Sequence, residues 1–232
     1  MSLKHQISFI SNSVLDIIYP NDCAICKSNL THKENYLCLT CRFDLPYINH
    51  SKHTQKSLQK LFWGRVDVEH VYALLNYQKG NQTQKILHLL KYKDKTKLAE
   101  HFGEKLGHTI NNKTVFDFLV PVPLHPKKLK TRGYNQSTII SKGLKKALNV
   151  TINESGLIRN SFNKSQTNFS KFDRWDNVKS IFSVTKPKLF KNKHILLIDD
   201  VLTTGATIEA CVKELLKIEG CKVSIATLAA RI

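Results

Sequence analysis

The 232-residue sequence predicts an α/β protein: a parallel sheet flanked by helices and preceded by a small four-cysteine module. Three observations carry this reading. Two apolar runs, Phe118-Leu119-Val120 and Ile195-Leu196-Leu197-Ile198, are continuous rather than alternating, as strands covered on both faces of a parallel sheet require. Helical apolar patterns alternate with these runs. Ahead of them, four cysteines fall in a C-x2-C-x11-C-x2-C spacing. A chain of this length, 41% hydrophobic, buries one full core plus a small extra module. The expected division is residues 1–60 for a helix, the cysteine module and a linker, and 61–232 for the α/β domain.

In chain order, Ile7, Ile10, Val14, Ile17 and Ile18 recur at helical spacing. Without a long apolar core or a small-residue cleavage site, this stretch reads as a packed amphipathic helix rather than a signal peptide. No apolar run approaches membrane-spanning length, so the expected location is cytoplasmic. Cys23, Cys26, Cys38 and Cys41 follow. Each C-x2-C knuckle offers two thiolates to one ion, and two knuckles complete a tetrahedral site. The reading is a structural zinc, although spacing alone admits iron. Four thiolates leave no open position for catalysis, and His32 reads as a loop residue rather than a ligand. Cys211 and Cys221 read as core and strand-edge residues.

His50–Lys60 is polar and weakly patterned, which suggests a linker. Val66–Tyr77 reads as the first strand, Gln84–Lys93 as a short helix carrying Lys91, and about Thr96–Asn111 as a helix with Leu98, Phe102, Leu106 and Ile110 on one face. In Phe116–Gln136 the strand Phe118–Val120 is followed by prolines at 121, 123 and 126, which end pairing and stiffen the loop. Lys127, Lys128, Lys130 and Arg132 then form a cationic loop before a helix carrying Ile139, Ile140, Leu144 and Leu148. Such a loop suits an anion or is simply a solvated surface.

The segment Lys193–Ala210 organises the rest. Asp199 and Asp200 stand at the carboxyl end of the Ile195–Ile198 strand, where open α/β sheets bind ligands. Thr203-Thr204-Gly205-Ala206-Thr207 then offers hydroxyls, a glycine and backbone N–H groups at a helix start, a combination that suits phosphate. Ile208, Cys211, Val212, Leu215 and Leu216 give that helix its apolar face, and Gly220 is its expected end. Carboxylates beside a phosphate turn suit a sugar phosphate. A Walker B strand is excluded because no G-x-x-x-x-G-K-[ST] loop precedes it.

The formal net charge is +18, and 15 Lys/Arg against 4 Asp/Glu lie between Lys79 and Lys146. That belt favours polyanions, either nucleic acid or a multiply phosphorylated small molecule.

LLIDDVLTTGAT resembles the 5-phosphoribosyl-1-pyrophosphate (PRPP) signature of type I phosphoribosyltransferases. The resemblance implies that Asp199 and Asp200 bind the ribose hydroxyls as the catalytic pair, with Val201 and Leu202 continuing the motif. It implies that Thr203, Thr204, Gly205, Ala206 and Thr207 cradle the 5′-phosphate. PVPLHPKKLKTRGYNQ further resembles the competence protein F family, also called ComF/GntX, which joins a four-cysteine module to a phosphoribosyltransferase-like domain. Leu90-Lys91-Tyr92, Arg159, Gln166, Arg174, Asn177-Val178 and the final Leu228-Ala-Ala-Arg231 are similar to its other motifs. On this resemblance Val122, Pro123, Leu124, Lys127, Lys128 and Arg132 contact pyrophosphate, and Mg²⁺ is held chiefly by PRPP and water. Two functions follow from it: transfer of ribosyl 5-phosphate to an acceptor without a recognisable hood, or a non-catalytic role binding PRPP or single-stranded DNA beside a helicase-like partner in DNA uptake.

Overall fold

The computed structural model describes residues 22–49, 51–92, 95–110, 114–160 and 181–231. The expected helix over Ile7–Ile18 and the motif residues Gln166, Arg174, Asn177 and Val178 lie outside them. Among the described residues two short helices come first, α1 (Leu39–Phe43) and α2 (Lys52–Lys60). Then follow β1 (Val71–Asn76), α3 (Gln82–Leu89), α4 (Thr96–Thr109), β2 (Phe118–Pro121), α5 (Pro126–Arg132), α6 (Gln136–Leu148) and β3 (Thr151–Ile152). The chain continues through β4 (Leu157–Arg159), β5 (Phe182–Val184), α7 (Pro187–Phe190), β6 (His194–Leu202), α8 (Ala206–Leu216) and β7 (Lys222–Ala230).

β1, β7, β6, β2 and β3 form one sheet in that order, and every pair in it is parallel. β4 and β5 make a separate antiparallel pair. All-parallel pairing brings the carboxyl ends of the strands to a single edge, and β6 lies at the centre of that edge. Ile195, Leu196, Leu197 and Ile198 are fully buried, consistent with apolar layers on both faces. One layer gathers Leu98, Phe102 and Leu106 of α4 with Ile140 and Leu144 of α6. The other gathers Ile208, Cys211, Val212 and Leu215 of α8 with Phe62 and Phe190. α4 and α6 approach closely because they meet at glycines: a Cβ at Gly103 would overlap the Ile140 carbonyl, and one at Gly143 would overlap Glu100 and Glu104 backbone.

Several boundaries differ from the sequence reading. The stretch read as a linker contains α2, capped by Ser51 Oγ on the Thr54 amide and anchored by buried Leu58. The first strand is shorter than Val66–Tyr77, starting at Val71. α3 ends at Leu89, so Lys91 lies in the turn beyond it rather than on the helix. Pairing ends at the prolines as expected, with Pro121 itself the last residue of β2, in register with Ile198. The cationic loop is a helix, α5, with His125 as N-cap, Pro126 at its start and Gly133 at φ 75° closing it. The missing proline N–H falls where a helix has no partner for it, so Pro126 starts α5 rather than breaking it. α8 ends at Leu216, and Gly220, at φ 69°, shapes the turn into β7 instead.

The cysteine module shares the α4 layer. Cys23, Leu37, Cys41 and Leu45 belong to the same buried cluster as Tyr72, Leu98 and Phe102. Among the described residues no helix is long and apolar enough to cross a membrane.

Candidate functional site

The four cysteine sulfurs lie within 4.8 Å of one another. Cys26 and Cys38 sulfurs are 3.6 Å apart, close to the roughly 3.8 Å edge of a tetrahedron with Zn–S bonds of about 2.3 Å. The local fold shapes the knuckles. Lys27 takes the left-handed conformation at φ 66°, and the Cys41 amide points at Cys38 Sγ. The Glu34 carboxylate accepts from the Thr31 and Leu39 amides at 2.8 and 2.6 Å, tying the intervening loop to the second knuckle. Cys26 is exposed and its thiol is drawn down to about 6, chiefly by hydrogen bonding to Ser28. Cys41 is pushed up by burial. This donor set, soft, closed and partly buried, fits a structural zinc. His32 stands apart from it, exposed in the intervening loop, and Cys211 and Cys221 are buried elsewhere.

The second site lies at the carboxyl edge of the sheet. β6 continues through Asp199 and Asp200 to Leu202, so both aspartates are strand residues rather than a following turn. Asp199 Oδ1 accepts the Ser137 hydroxyl at 3.1 Å and the Asp200 amide at 2.9 Å. Burial, then the neighbouring Asp200 charge, pushes the Asp199 carboxyl up to about 7. Burial raises Asp200 as well, opposed in part by the charges of Arg132 and Lys91. Two carboxylates desolvated together and faced by cations form a site poised for a polyol or cationic ligand.

After β6, Thr203, Thr204, Ala206 and Thr207 are exposed around a buried Gly205. Gly205 is the N-cap of α8 at φ 76°, and no side chain caps the helix. Its first-turn amides are therefore available, apart from a 3.5 Å approach of Ala206 N–H to Thr204 Oγ1. An uncapped, glycine-opened helix start at a strand end is a ready anion site.

The Val122–Arg132 segment faces the same edge from β2. The Val122 amide donates to the Ile198 carbonyl at 2.8 Å, and the Val122 carbonyl accepts from Asn135 Nδ2 at 2.9 Å. Pro123 has no N–H, so of Val122, Pro123 and Leu124 the last alone keeps an amide for a ligand. Lys127 and Lys128 are exposed on α5, while Arg132 is partly buried and acts on Asp200. The Tyr134 hydroxyl lies 2.6 Å from the Leu90 carbonyl and 2.8 Å from the Tyr92 carbonyl. That tether brackets Lys91, whose charge acts on Asp200. Ser137 and Arg65 have no role in the sequence-based expectation. Ser137 is identifiable only as the second residue after the Asn135 cap, and Arg65 contacts a segment 139 residues away.

Residues 131–232 match the phosphoribosyl transferase domain family, and residues 14–52 match the double zinc ribbon family. The chain is 34% identical over 101 residues to Competence protein F of Haemophilus influenzae, covering 43% of this chain and 44% of that protein. It thus aligns with less than half of that relative's length. It is 25% identical over 202 residues to DNA utilization protein YhgH of Escherichia coli (strain K12), covering 84% of each. Among solved structures, glutamine phosphoribosylpyrophosphate amidotransferase from B. subtilis, complexed with ADP and GMP, aligns with a TM-score of 0.43 at 19% identity, covering 57% of this chain and 26% of that one. That likeness is too distant to define a site. A phosphoribosyl transferase domain in the C-terminal part of the chain, a four-cysteine zinc ribbon ahead of it, and the likeness to Competence protein F and YhgH together support a ComF-family, phosphoribosyltransferase-like protein.

Proposed function

We propose that this protein binds PRPP with Mg²⁺ at the carboxyl edge of the sheet and transfers ribosyl 5-phosphate to an acceptor nitrogen. The observation that carries this reading is the Asp199–Asp200 pair beside the uncapped start of α8. Asp199 and Asp200 accept the vicinal ribose hydroxyls. The Thr203–Thr207 turn takes the 5′-phosphate on its amides and hydroxyls. Pyrophosphate lies toward the Leu124 amide, Arg132 and Lys91, with Lys127 and Lys128 contributing long-range charge. The C1–O bond to pyrophosphate breaks as the C1–N bond forms, and the acceptor nitrogen loses its proton. Cations stabilise the departing pyrophosphate while the aspartates lie close to the developing oxocarbenium charge. Mg²⁺ supplies further charge neutralisation there when bound. Its ligands are expected chiefly from PRPP and water, because Mg²⁺ keeps much of its hydration.

The expected setting is DNA handling in the cytoplasm, in line with relatives called a competence protein and a DNA utilization protein. α5 favours a second, compatible reading, single-stranded DNA binding beside a helicase-like partner. It carries Lys127, Lys128 and Lys130 exposed, with no acidic residue. A backbone of phosphates gains affinity there through counterion release.

The deciding experiment compares PRPP binding by the native protein and by Asp199→Asn/Asp200→Asn. Loss of binding in the double variant is expected, and unchanged binding overturns the PRPP reading. For DNA, neutralising residues 127, 128 and 130 is expected to flatten the salt dependence of affinity. An unaltered slope removes α5 from the interface.

A further inference from the structure

We infer that Arg65 is a positioning residue for the phosphate turn: it fixes the Thr204–Gly205 peptide so that its N–H faces the ligand. The inference rests on the PRPP reading of this turn and adds to it a residue far away in sequence.

Arg65 lies in the turn that follows α2. One of its terminal nitrogens donates to the Thr204 carbonyl at 3.0 Å and to the Leu61 carbonyl at 2.9 Å. Its Nε donates to Glu209 Oε2 at 2.8 Å, and its second terminal nitrogen binds the same oxygen. A single planar group thus spans three partners: the turn before β1, the phosphate turn and the first helical residues of α8. Arg suits this because its fork of donors is rigid.

The carbonyl contact has a directional consequence. In a trans peptide the C=O and the following N–H point in opposite directions, and no cis peptide is present among the described residues. Holding the Thr204 oxygen toward Arg65 therefore turns the Gly205 N–H the other way, toward the open side of the turn. Gly205 at φ 76° then starts α8 with its next amides uncapped. Successive amides directed to one side form an anion-binding nest. If the peptide flipped, a carbonyl oxygen would face the phosphate instead. Gly205 itself has little room to move, since a Cβ there would come within 3.1 Å of the buried Phe62 ring, which belongs to the same turn as Arg65.

Glu209 adds a second reason for a cation here. A carboxylate in the first turn of α8 opposes an incoming phosphate, and Arg65 and Lys213 both pair with it. The two roles separate experimentally. If Arg65 serves only to neutralise Glu209, removing both groups restores binding. If it orients the peptide, it does not.

The test titrates native protein, Arg65→Met, Glu209→Gln and the double variant with ribose 5-phosphate, and separately with Mg²⁺-pyrophosphate. Arg65→Met is expected to weaken ribose 5-phosphate roughly tenfold, the scale of one charge-assisted hydrogen bond, and to leave pyrophosphate affinity unchanged. The double variant is expected to stay as weak as Arg65→Met. Recovery in the double variant overturns the inference, as does Arg65→Met binding ribose 5-phosphate like the native protein. If Arg65→Met loses pyrophosphate binding too, Arg65→Lys, which keeps the charge but not the fork, is read by the same ratio of the two affinities. A native protein that binds neither ribose 5-phosphate nor PRPP instead refutes the phosphate assignment of the turn itself.

Discussion

The Ser137 hydroxyl donates to Asp199 Oδ1 at 3.1 Å, joining the first turn of α6 to the end of β6. Ser137 is buried, only 3% exposed, while Asp199 is partly exposed at the site. The bond both orients the carboxylate and favours its ionised form. Ser137→Ala is therefore expected to weaken PRPP roughly tenfold or more, the scale of one lost hydrogen bond to a charged group, and to raise further the pH at which Asp199 titrates. Calorimetric titration at several pH values measures both. Unchanged affinity and pH dependence would show that Asp199 is oriented by other contacts.

The aspartate pair also makes stability depend on pH. The Asp199 carboxyl is raised to about 7 from an ordinary 3.8, so the folded chain holds this proton more tightly than the unfolded chain. The resulting stabilisation is complete below about pH 3.8 and is lost as pH rises through about 7. Asp199→Asn has no such proton to lose. Its stability advantage over the native protein is expected to be larger at pH 8 than at pH 5. Denaturant melts at the two pH values measure it, and a constant difference would contradict a raised carboxyl.

Because Cys23 and Cys41 belong to the buried α4 layer, metal loss should reach beyond the ribbon. Structural zinc contributes on the order of 10 kcal/mol to the folding of such modules. Purified protein is expected to carry one zinc per chain. Cys38→Ser is expected to lose the metal and lower the melting temperature of the whole chain. Elemental analysis with calorimetry checks this, and an unshifted main transition would make the ribbon an independent unit.

The α4–α6 contact tolerates no side chain at Gly143, where a Cβ would overlap Glu100 and Glu104 backbone. Gly143→Ala normally improves helix propensity by about 1 kcal/mol, but here backbone must separate. A net destabilisation of at least about 1–3 kcal/mol is expected from overpacking. Denaturant titration decides the sign.

The parts of this protein legible in its sequence are those encoded locally. The Ile195–Ile198 run, the adjacent aspartates, the glycine-opened helix start and the two knuckles each lie within a few residues, where strand, cap and ligand preferences act directly. Polarity misled the reading of residues 51–60, because the Ser51 cap and one buried Leu58 suffice to fix a helix against a neighbouring core. The lysines of α5 misled in the same way, since Pro126 starts a helix as readily as it stiffens a loop. The supports of the site are long-range and left no local mark. Ser137 reaches Asp199 across 62 residues, Tyr134 reaches Leu90 across 44 and Arg65 reaches Thr204 across 139. The closed hydrogen bond at the Val122 amide is likewise a product of β2 pairing with β6.

The most direct test of the account is calorimetric titration of zinc-loaded protein with PRPP in the presence and absence of Mg²⁺. Saturable, Mg²⁺-dependent binding of one PRPP per chain, abolished in Asp199→Asn/Asp200→Asn, is the predicted result. Absence of binding by the native protein, or equal binding by the double variant, would contradict the assignment of the β6 strand end as the sugar-phosphate site.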